Sequence, residues 1–337
     1  MRGKRVLVTG SAGFIGFHTS SLLLQQGATV LGVDNFSDYY DVALKEARND
    51  MLANHPDFSV ARVSIEDREA FGAAWREFKP DIVIHLAAQA GVRYSIDAPD
   101  SYVGANLIGT FNVLELARHH PPQHLLAAST SSVYGANTDM PFDEMQRTAT
   151  PLSLYAATKG ATELMAHSYA HLFKMPMTFF RFFTVYGPWG RPDMALFKFT
   201  RAIVAGEAID VYNNGDMVRD FTYIDDLATA IVKLAAAVPG SDPVEGDSLS
   251  PVAPFRVVNI GQGRPTKLMD YIGAIERALG KRAIRNFMPM QQGDVPATQA
   301  SPALLKRLTG YVPSTSPEEG VAKFVSWYRE RYAGDAL

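Results

Sequence analysis

Cysteine is absent from the 337 residues. That excludes disulfides, cysteine-ligated zinc, iron–sulfur clusters and a catalytic thiol. An excess of positive charge is missing too: 32 Lys and Arg face 35 Asp and Glu, for a net charge of −3. Proteins that grip nucleic acid or an anionic membrane present a basic surface, so neither partner is expected. No apolar run reaches the roughly 18 residues of a membrane-spanning helix. Met1-Arg2-Gly3-Lys4-Arg5 looks like the start of a secretion signal. The apolar run behind it, Val6-Leu7-Val8, stops at Thr9-Gly10 and is too short for such a signal. A soluble cytoplasmic protein is expected. There is no internal repeat and no low-complexity tract.

What remains is ordinary globular composition, 47% hydrophobic and 20% charged, in a chain long enough to bury a core without staples. At about 150 residues per domain, the length suggests two domains, or one α/β domain with a lobe. The first half alternates short β-rich runs with helical stretches. The runs are 5–9, 29–34, 58–63, 81–86 and 124–129, and the helical stretches are 14–26, 42–53, 68–78 and 101–118. Several runs are almost continuously apolar, as strands buried on both faces must be. This order predicts a parallel, doubly wound sheet. A helix over 153–173 and a strand over 177–183 follow. After the breaker-rich 186–192 the rhythm changes, with helical patterns at 196–204, 224–237, 268–279 and 317–332. The polar stretch 239–251 reads as a surface loop or short disordered insert. The C-terminal part reads as a smaller α+β lobe over the carboxyl edge of the sheet, where ligands bind in such folds.

Gly10-Ser-Ala-Gly13-Phe-Ile-Gly16 ends a strand and opens a helix. Glycine serves where the backbone turns tightly against a pyrophosphate, and the helix N-terminus offers free N–H groups. Asp34 ends the second strand, about 20 residues on, where an acid takes the adenosine ribose hydroxyls. A carboxylate there repels a 2′-phosphate, which favours NAD over NADP. His85-Leu-Ala-Ala-Gln89-Ala-Gly91 follows another strand. Its small residues let a cofactor pass close by, or simply pack against a helix.

Tyr155 and Lys159 are spaced i, i+4 on the long helix and share a face. An ammonium beside a phenol favours the phenolate, lowering a pKa of about 10 towards the working range of a general base. The same spacing also describes a surface helix with one buried aromatic. Ser129-Thr130-Ser131-Ser132 follows the fifth strand, where hydroxyls can orient a hydroxylated substrate or form a turn. His167 and His171 are also spaced i, i+4. They lack the intervening glutamate of a metalloprotease and a third ligand, so no metal is expected.

In their order, Thr9-Gly10-x-x-Gly13-x-x-Gly16, Asp34, Leu86-Ala87-Ala88, Ser129-Thr130-Ser131-Ser132-Val133-Tyr134-Gly135 and Tyr155-x-x-x-Lys159 resemble the extended short-chain dehydrogenase/reductase family. Within it, the nucleotide-sugar epimerase and dehydratase branch fits best, and the likeness continues through 213–227. The resemblance implies a Rossmann-type sheet with residues 1–185 holding NAD, part of the later chain returning to that domain, and residues 186–337 mainly holding a UDP-sugar. It implies cofactor contacts from Gly10, Gly13, Phe14, Ile15, Gly16, Asp34, Asn35, Ser64, Ile65, Leu86, Ala87, Ala88, Gln89, Asn106, Ser129, Tyr155 and Lys159. Ser64 stands where the family usually has an adenine-contacting Asp. The implied catalytic set is Tyr155, Lys159 and Thr130, oxidising the sugar at C4. Helices 101–118 and 153–173 resemble those that pair into a four-helix homodimer interface, although ordinary packing within one subunit would also explain their apolar faces.

Dehydratases of the branch carry Asp-Glu after the threonine, because elimination needs an acid and a base. Decarboxylases carry Glu in the place of Ser132. Here Ser131 and Ser132 are both hydroxyls, which leaves rotation of a 4-keto sugar and hydride return as the simple outcome. Residues 34–41, 89–95 and 184–194 are similar to UDP-glucuronate 4-epimerases. The substrate contacts implied are Arg93, Thr130, Ser131, Ser132, Thr184, Arg191, Arg219 and Asp294, with Arg191 and Arg219 on the diphosphate. Gln291 departs from relatives that handle UDP-glucose, which often carry arginine there. Epimerisation of UDP-glucose or a UDP-N-acetylhexosamine, decarboxylation of UDP-glucuronate, and a silent NAD sensor are the alternatives.

Overall fold

The computed structural model describes residues 1–240 and 242–332. Its strands are β1 (Arg5–Thr9), β2 (Thr29–Val33), β3 (Phe58–Ala61), β4 (Ile82–His85), β5 (His124–Thr130), β6 (Met177–Phe182), β7 (Thr184–Tyr186), β8 (Ala208–Val211), β9 (Val218–Tyr223), β10 (Phe255–Ile260), β11 (Pro265–Lys267) and β12 (Ile284–Phe287). Seven of them form the main sheet in the order β10-β6-β5-β4-β1-β2-β3, with every neighbouring pair parallel. Successive side chains point to opposite faces, and both faces are covered. Val6, Val8, Ile84 and Leu126 enter one core, and Leu7, Val83, Leu125 and Phe179 enter the other. Chain order reverses between β4 and β1, and the crevice at that switch point is the ligand position of such sheets. The return of β10 to pair with β6 explains why no strand was read there from sequence: it lies far from its sheet neighbours along the chain.

The helices are α1 (Phe14–Gln25), α2 (Val42–Ala53), α3 (Arg68–Phe78), α4 (Tyr94–Asp97), α5 (Pro99–Tyr102), α6 (Gly109–His119), α7 (Leu154–Phe173), α8 (Ala195–Ala205), α9 (Ile224–Ala236), α10 (Leu268–Leu279), α11 (Ala303–Thr309) and α12 (Pro317–Arg331). Local chemistry sets their ends. Asp67 accepts the N–H groups of Glu69 and Ala70 to start α3, and Ser153 accepts that of Ala156 to start α7. Left-handed Gly206, Gly280 and Gly310 close α8, α10 and α11.

Two segments carry detail beyond the sequence reading. The single helix expected over 101–118 is α5, then a π-helical segment Val103–Ile108, then α6. Gly104 and Gly109 bracket that segment because side chains from the loop after β3, Glu66 and Ile65, occupy the space a Cβ would take. The stretch 239–251, in which Ser241 lies outside the described residues, is the surface loop of the two alternatives, tied down at one end. Buried Asp247 pairs with buried Arg256 at 2.8 Å, and the Ser248 hydroxyl donates to the Val257 carbonyl.

The lobe contains a small sheet ordered β11-β9-β7 and the parallel pair β12-β8. It is fixed to the Rossmann half through α9, which packs on α1. No helix among the described residues is long and apolar enough to cross a membrane.

Candidate active site

The turn from β1 to α1 needs glycine for steric reasons. Gly10 has φ +72°, and a Cβ there would lie 2.8 Å from the Ala87 nitrogen. A Cβ on Gly16 would overlap the Gly10 carbonyl oxygen. The result is a bare backbone cradle in front of the α1 N-terminus, whose first N–H groups have no partner within the helix. Buried Asp34 closes its far side, accepting the Ala12 N–H at 3.0 Å and the Phe36 N–H at 2.8 Å. A cradle of this shape and donor set fits a dinucleotide pyrophosphate, with its ribose at the carboxylate.

The loop after β4 is held from behind. Thr9 Oγ1 accepts the N–H groups of Leu86 and Ala87, each at 3.1 Å, so its own proton goes to His85 Nδ1 at 2.8 Å. His85 Nε2 then donates to Thr110 Oγ1 at 3.0 Å. Burial, with the Lys159 cation nearby, lowers the His85 pKa to about 3 and keeps it neutral. Asn106 does not border the cleft. It is buried behind the wall, where its amide donates to the Gln89 carbonyl at 3.1 Å and accepts the Gln89 N–H at 2.9 Å. Its place is to hold Gln89.

Tyr155 and Lys159 sit one turn apart on α7 and face the end of β5. Burial pushes the Tyr155 phenol up, while a hydrogen bond with Thr130 and the charge of Arg191 pull it down. Burial prevails and the phenol stands above its ordinary value, so the lowering expected from Lys159 is not found; the downward pull comes from Thr130 and Arg191 instead. Lys159, 2% exposed, is itself lowered to about 8 by burial, against the pull of Glu163. Glu163, a further turn along, accepts Arg181 Nε at 3.0 Å and Nη2 at 2.7 Å and also the Ser129 hydroxyl. That buried network pins α7 to β5 and β6. After Thr130 the chain forms a 3₁₀ turn, Ser131–Tyr134, in which the Ser132 N–H donates to Thr130 Oγ1 at 3.2 Å.

The opposite wall carries the charges. Arg191 makes a two-point pair with Asp193, Nε–Oδ1 at 3.0 Å and Nη2–Oδ2 at 2.6 Å, and the Tyr39 hydroxyl donates to the same carboxylate. Burial works against the Arg191 cation, but Asp193 more than offsets it. Arg93 pairs with Asp294 at 3.0 Å and lies over the Tyr212 ring. Arg219 donates to the Val218 and Pro296 carbonyls. Burial and Arg93 lower its pKa, with Asp294 opposing.

The glycine turn, Asp34, Tyr155, Lys159, Arg191, Arg93 and Arg219 border one continuous cleft of about 1240 Å³. A single small-molecule site is about 300–1,000 Å³, so the cleft has room for two ligands side by side. Gly10, Gly13, Phe14, Ile15, Gly16, Asp34, Asn35, Ser64, Ile65, Leu86, Ala87, Ala88, Gln89 and Ser129 line one end. Thr130, Ser131, Ser132, Tyr155, Lys159 and Thr184 line the middle, and Arg93, Arg191, Arg219 and Asp294 the other side. Gln291 is not in the wall. His167 and His171 bind Ser250 Oγ and the Val252 carbonyl, each at 2.8 Å, and anchor that segment. Among the described residues no cluster of His, Asp and Glu could hold a metal ion.

Sequence reasoning passed over Arg48. It is fully buried, and its guanidinium reaches the Ala12 carbonyl at 3.0 Å, the Tyr40 hydroxyl at 2.8 Å and the Trp189 carbonyl at 2.6 Å. It ties the glycine turn to the loop that carries Arg191. The available signal was a cation one turn from Leu44 and Leu52, on the apolar side of α2.

A protein of Rhizobium meliloti (strain 1021) named "Probable UDP-glucuronate 4-epimerase" is 56% identical over 333 residues, covering 97% of this chain and 98% of its own. A crystal structure of UDP-glucuronic acid 4-epimerase from Bacillus cereus, in complex with UDP-glucuronic acid and NAD, superposes with a TM-score of 0.87. It is 30% identical and covers 97% of this chain and 100% of its own. UDP-glucose 4-epimerase from Thermotoga maritima, with UDP-glucose, gives a TM-score of 0.82 at 28% identity, covering 97% and 99%. The family described as NAD dependent epimerase/dehydratase matches residues 6–250. With that match over most of its length and a relative at 56% identity, the chain belongs to the NAD dependent epimerase/dehydratase family.

Proposed function

We infer that the protein is a UDP-glucuronate 4-epimerase, interconverting UDP-glucuronate and UDP-galacturonate with bound NAD. The observation that carries this reading is the run of hydroxyls, Thr130, Ser131, Ser132 and Thr184, around Tyr155 in the cleft. The Rhizobium meliloti relative and the Bacillus cereus neighbour, with its UDP-glucuronic acid and NAD, support it. NAD, when bound, accepts a hydride from C4 of the sugar and returns it to the other face.

In this reading the glycine turn, with Phe14 and Ile15, holds the pyrophosphate. Asp34 and Asn35 take the ribose, and Ser64 and Ile65 the adenine. Leu86 to Gln89, Ser129 and Lys159 frame the nicotinamide half. Tyr155 removes the proton of the C4 hydroxyl and later gives it back, with Thr130 hydrogen-bonded to its phenol. Lys159, as ammonium, stabilises the phenolate that forms. Arg191 and Arg219 take the diphosphate, with Arg93 and Asp294 towards the nucleoside. Oxidation at C4 makes a β-keto acid, which loses carbon dioxide when the C5–C6 bond aligns with the carbonyl π system. Hydroxyls that hold the carboxylate out of that alignment, and offer no proton to C5, protect it.

Residues 1–185, with β10, serve the cofactor, and the lobe within 186–337 serves the UDP-sugar. Two copies pair through α6 and α7 as a four-helix bundle. Exposed Phe111 on α6 and Leu164 and Leu172 on α7 support that pairing, and light scattering of Leu164→Glu tests it. A cytoplasmic setting completes the reading, and cell fractionation tests it.

The central test is incubation of the pure protein with UDP-glucuronate, without added NAD, and chromatography of the products. UDP-galacturonate as the only product supports the reading. A UDP-pentose overturns the role given to Ser131 and Ser132. Turnover of UDP-glucose in preference to UDP-glucuronate overturns the uronate assignment.

A further inference from the structure

Ser64 stands where the resemblance implies an acid, and the structure sets a carboxylate, that of Glu66, beside it. In the sheet order, β3 lies outside β2. With the ribose at Asp34, at the end of β2, the adenine falls one strand further out, against the segment that leaves β3. Ser64, Ile65 and Glu66 of that segment border the cleft, facing Ala105 of the π-helical segment.

The segment is fixed. Asn112 Nδ2 donates to the Ile65 carbonyl at 2.9 Å and the Glu66 carbonyl at 3.1 Å, and the Asp67 N–H donates to the Ser64 carbonyl at 3.1 Å. The Ser64 hydroxyl donates to Glu66 Oε2 at 3.2 Å and accepts the Glu66 N–H at 3.3 Å. The other carboxylate oxygen lies against Gly104, in the space a Cβ would fill. Glu66 is thus turned across the cleft mouth towards the π-helical segment. Arg62, a cation of the same segment, pairs with Glu46 and lies 4.0 Å over the Phe36 ring. It does not border the cleft.

An ionised carboxylate only accepts hydrogen bonds, and a serine whose proton is committed to that carboxylate presents lone pairs. Both groups match a donor and repel a carbonyl. We propose that Ser64 and Glu66 together supply the acceptor for the exocyclic amine of the NAD adenine, so that the protein distinguishes adenine from its 6-oxo analogue. This rests on the NAD-dependent reading above.

The test needs no turnover. The purified full-length protein is equilibrated with equal concentrations of NAD and nicotinamide hypoxanthine dinucleotide, washed, and its bound dinucleotides are counted by mass spectrometry. Wild type should hold NAD over the analogue by about tenfold, the value of one charge-assisted hydrogen bond. Glu66→Gln, whose amide can turn to donate, should bring the ratio near one. Ser64→Asp in that background should restore it. The melting temperature should not move, because Glu66 is exposed. Equal binding of the two dinucleotides by wild type overturns the proposal, and so does an unchanged preference in Ser64→Ala/Glu66→Ala. Binding of neither dinucleotide by wild type overturns the NAD reading itself, and this proposal with it.

Discussion

The two walls of the cleft are built from different materials. The cofactor wall is mostly backbone: three close-packed glycines, the free amides of α1, and small residues after β4. Its carboxylate at the end of β2, Asp34, is clamped by two backbone N–H groups. The wall proposed for the substrate mixes aromatic and aliphatic residues with charged side chains, several already paired, as in Arg191–Asp193 and Arg93–Asp294. The first wall is a rigid shape that accepts one ligand geometry. The second carries cations balanced by carboxylates. On the proposed function a diphosphate would meet them as charge-assisted partners, and the acids already keep the paired arginines from standing as bare, buried cations.

Tyr155 and Lys159 lie between the walls, and on the proposed function removing the phenol should give the largest effect. Tyr155→Phe should lower kcat by roughly 10³-fold or more, about 4 kcal/mol, while bound NAD and the KM for UDP-glucuronate change little. A large loss of NAD in this variant would mean that the phenol belongs to the cofactor wall instead. Next, Gly16→Ala should break the rigid wall. A methyl group there overlaps the Gly10 carbonyl, and overpacking of this kind costs roughly 1–3 kcal/mol. Dinucleotide content per protein and the urea midpoint should fall together, and a normal NAD content would refute the cradle.

On the charged wall, Arg219→Met should raise the KM roughly tenfold with NAD content intact, since a charge-assisted hydrogen bond is worth about 1.5–3 kcal/mol. Equal loss of both ligands would remove the distinction between the walls. The last effect lies behind the cofactor wall, shows only in acid and leaves the protein at neutral pH unchanged. The folded-state pKa of His85, about 3, is below its ordinary 6.5, so the unfolded chain binds the extra proton between those values. Stability should fall as pH drops through that window, by on the order of 2 kcal/mol at pH 5 from this group. Urea unfolding of His85→Gln should show a shallower dependence over the same range, and an unchanged dependence would count against a neutral His85.

Much of the cofactor wall was legible along the chain. Glycine spacing, an acid ending the next strand, and Tyr155 with Lys159 on one helix are local patterns, and their consequences follow from backbone geometry alone. The helix expected over 101–118 forms, but its π-helical segment was not legible, because Gly104 and Gly109 answer to Glu66 and Ile65, from the loop after β3. Arg48 was missed because its partners, Ala12 and Trp189, come from loops on either side of it in sequence. The Tyr155 pKa was misjudged for a related reason. The pair Tyr155–Lys159 can be read from spacing, but burial, Thr130 and Arg191 depend on three other elements.

The sequence by itself determined the parallel α/β order, the glycine turn, the acid that ends the second strand and the run of hydroxyls after the fifth. Each is a matter of residue type at short range. The tertiary structure alone decided which arginines are balanced by which acids, that Asn106 stands behind Gln89, and that Glu66 turns to Ser64. Such contacts are made by packing between elements far apart in the chain, where no periodicity or spacing can carry the information.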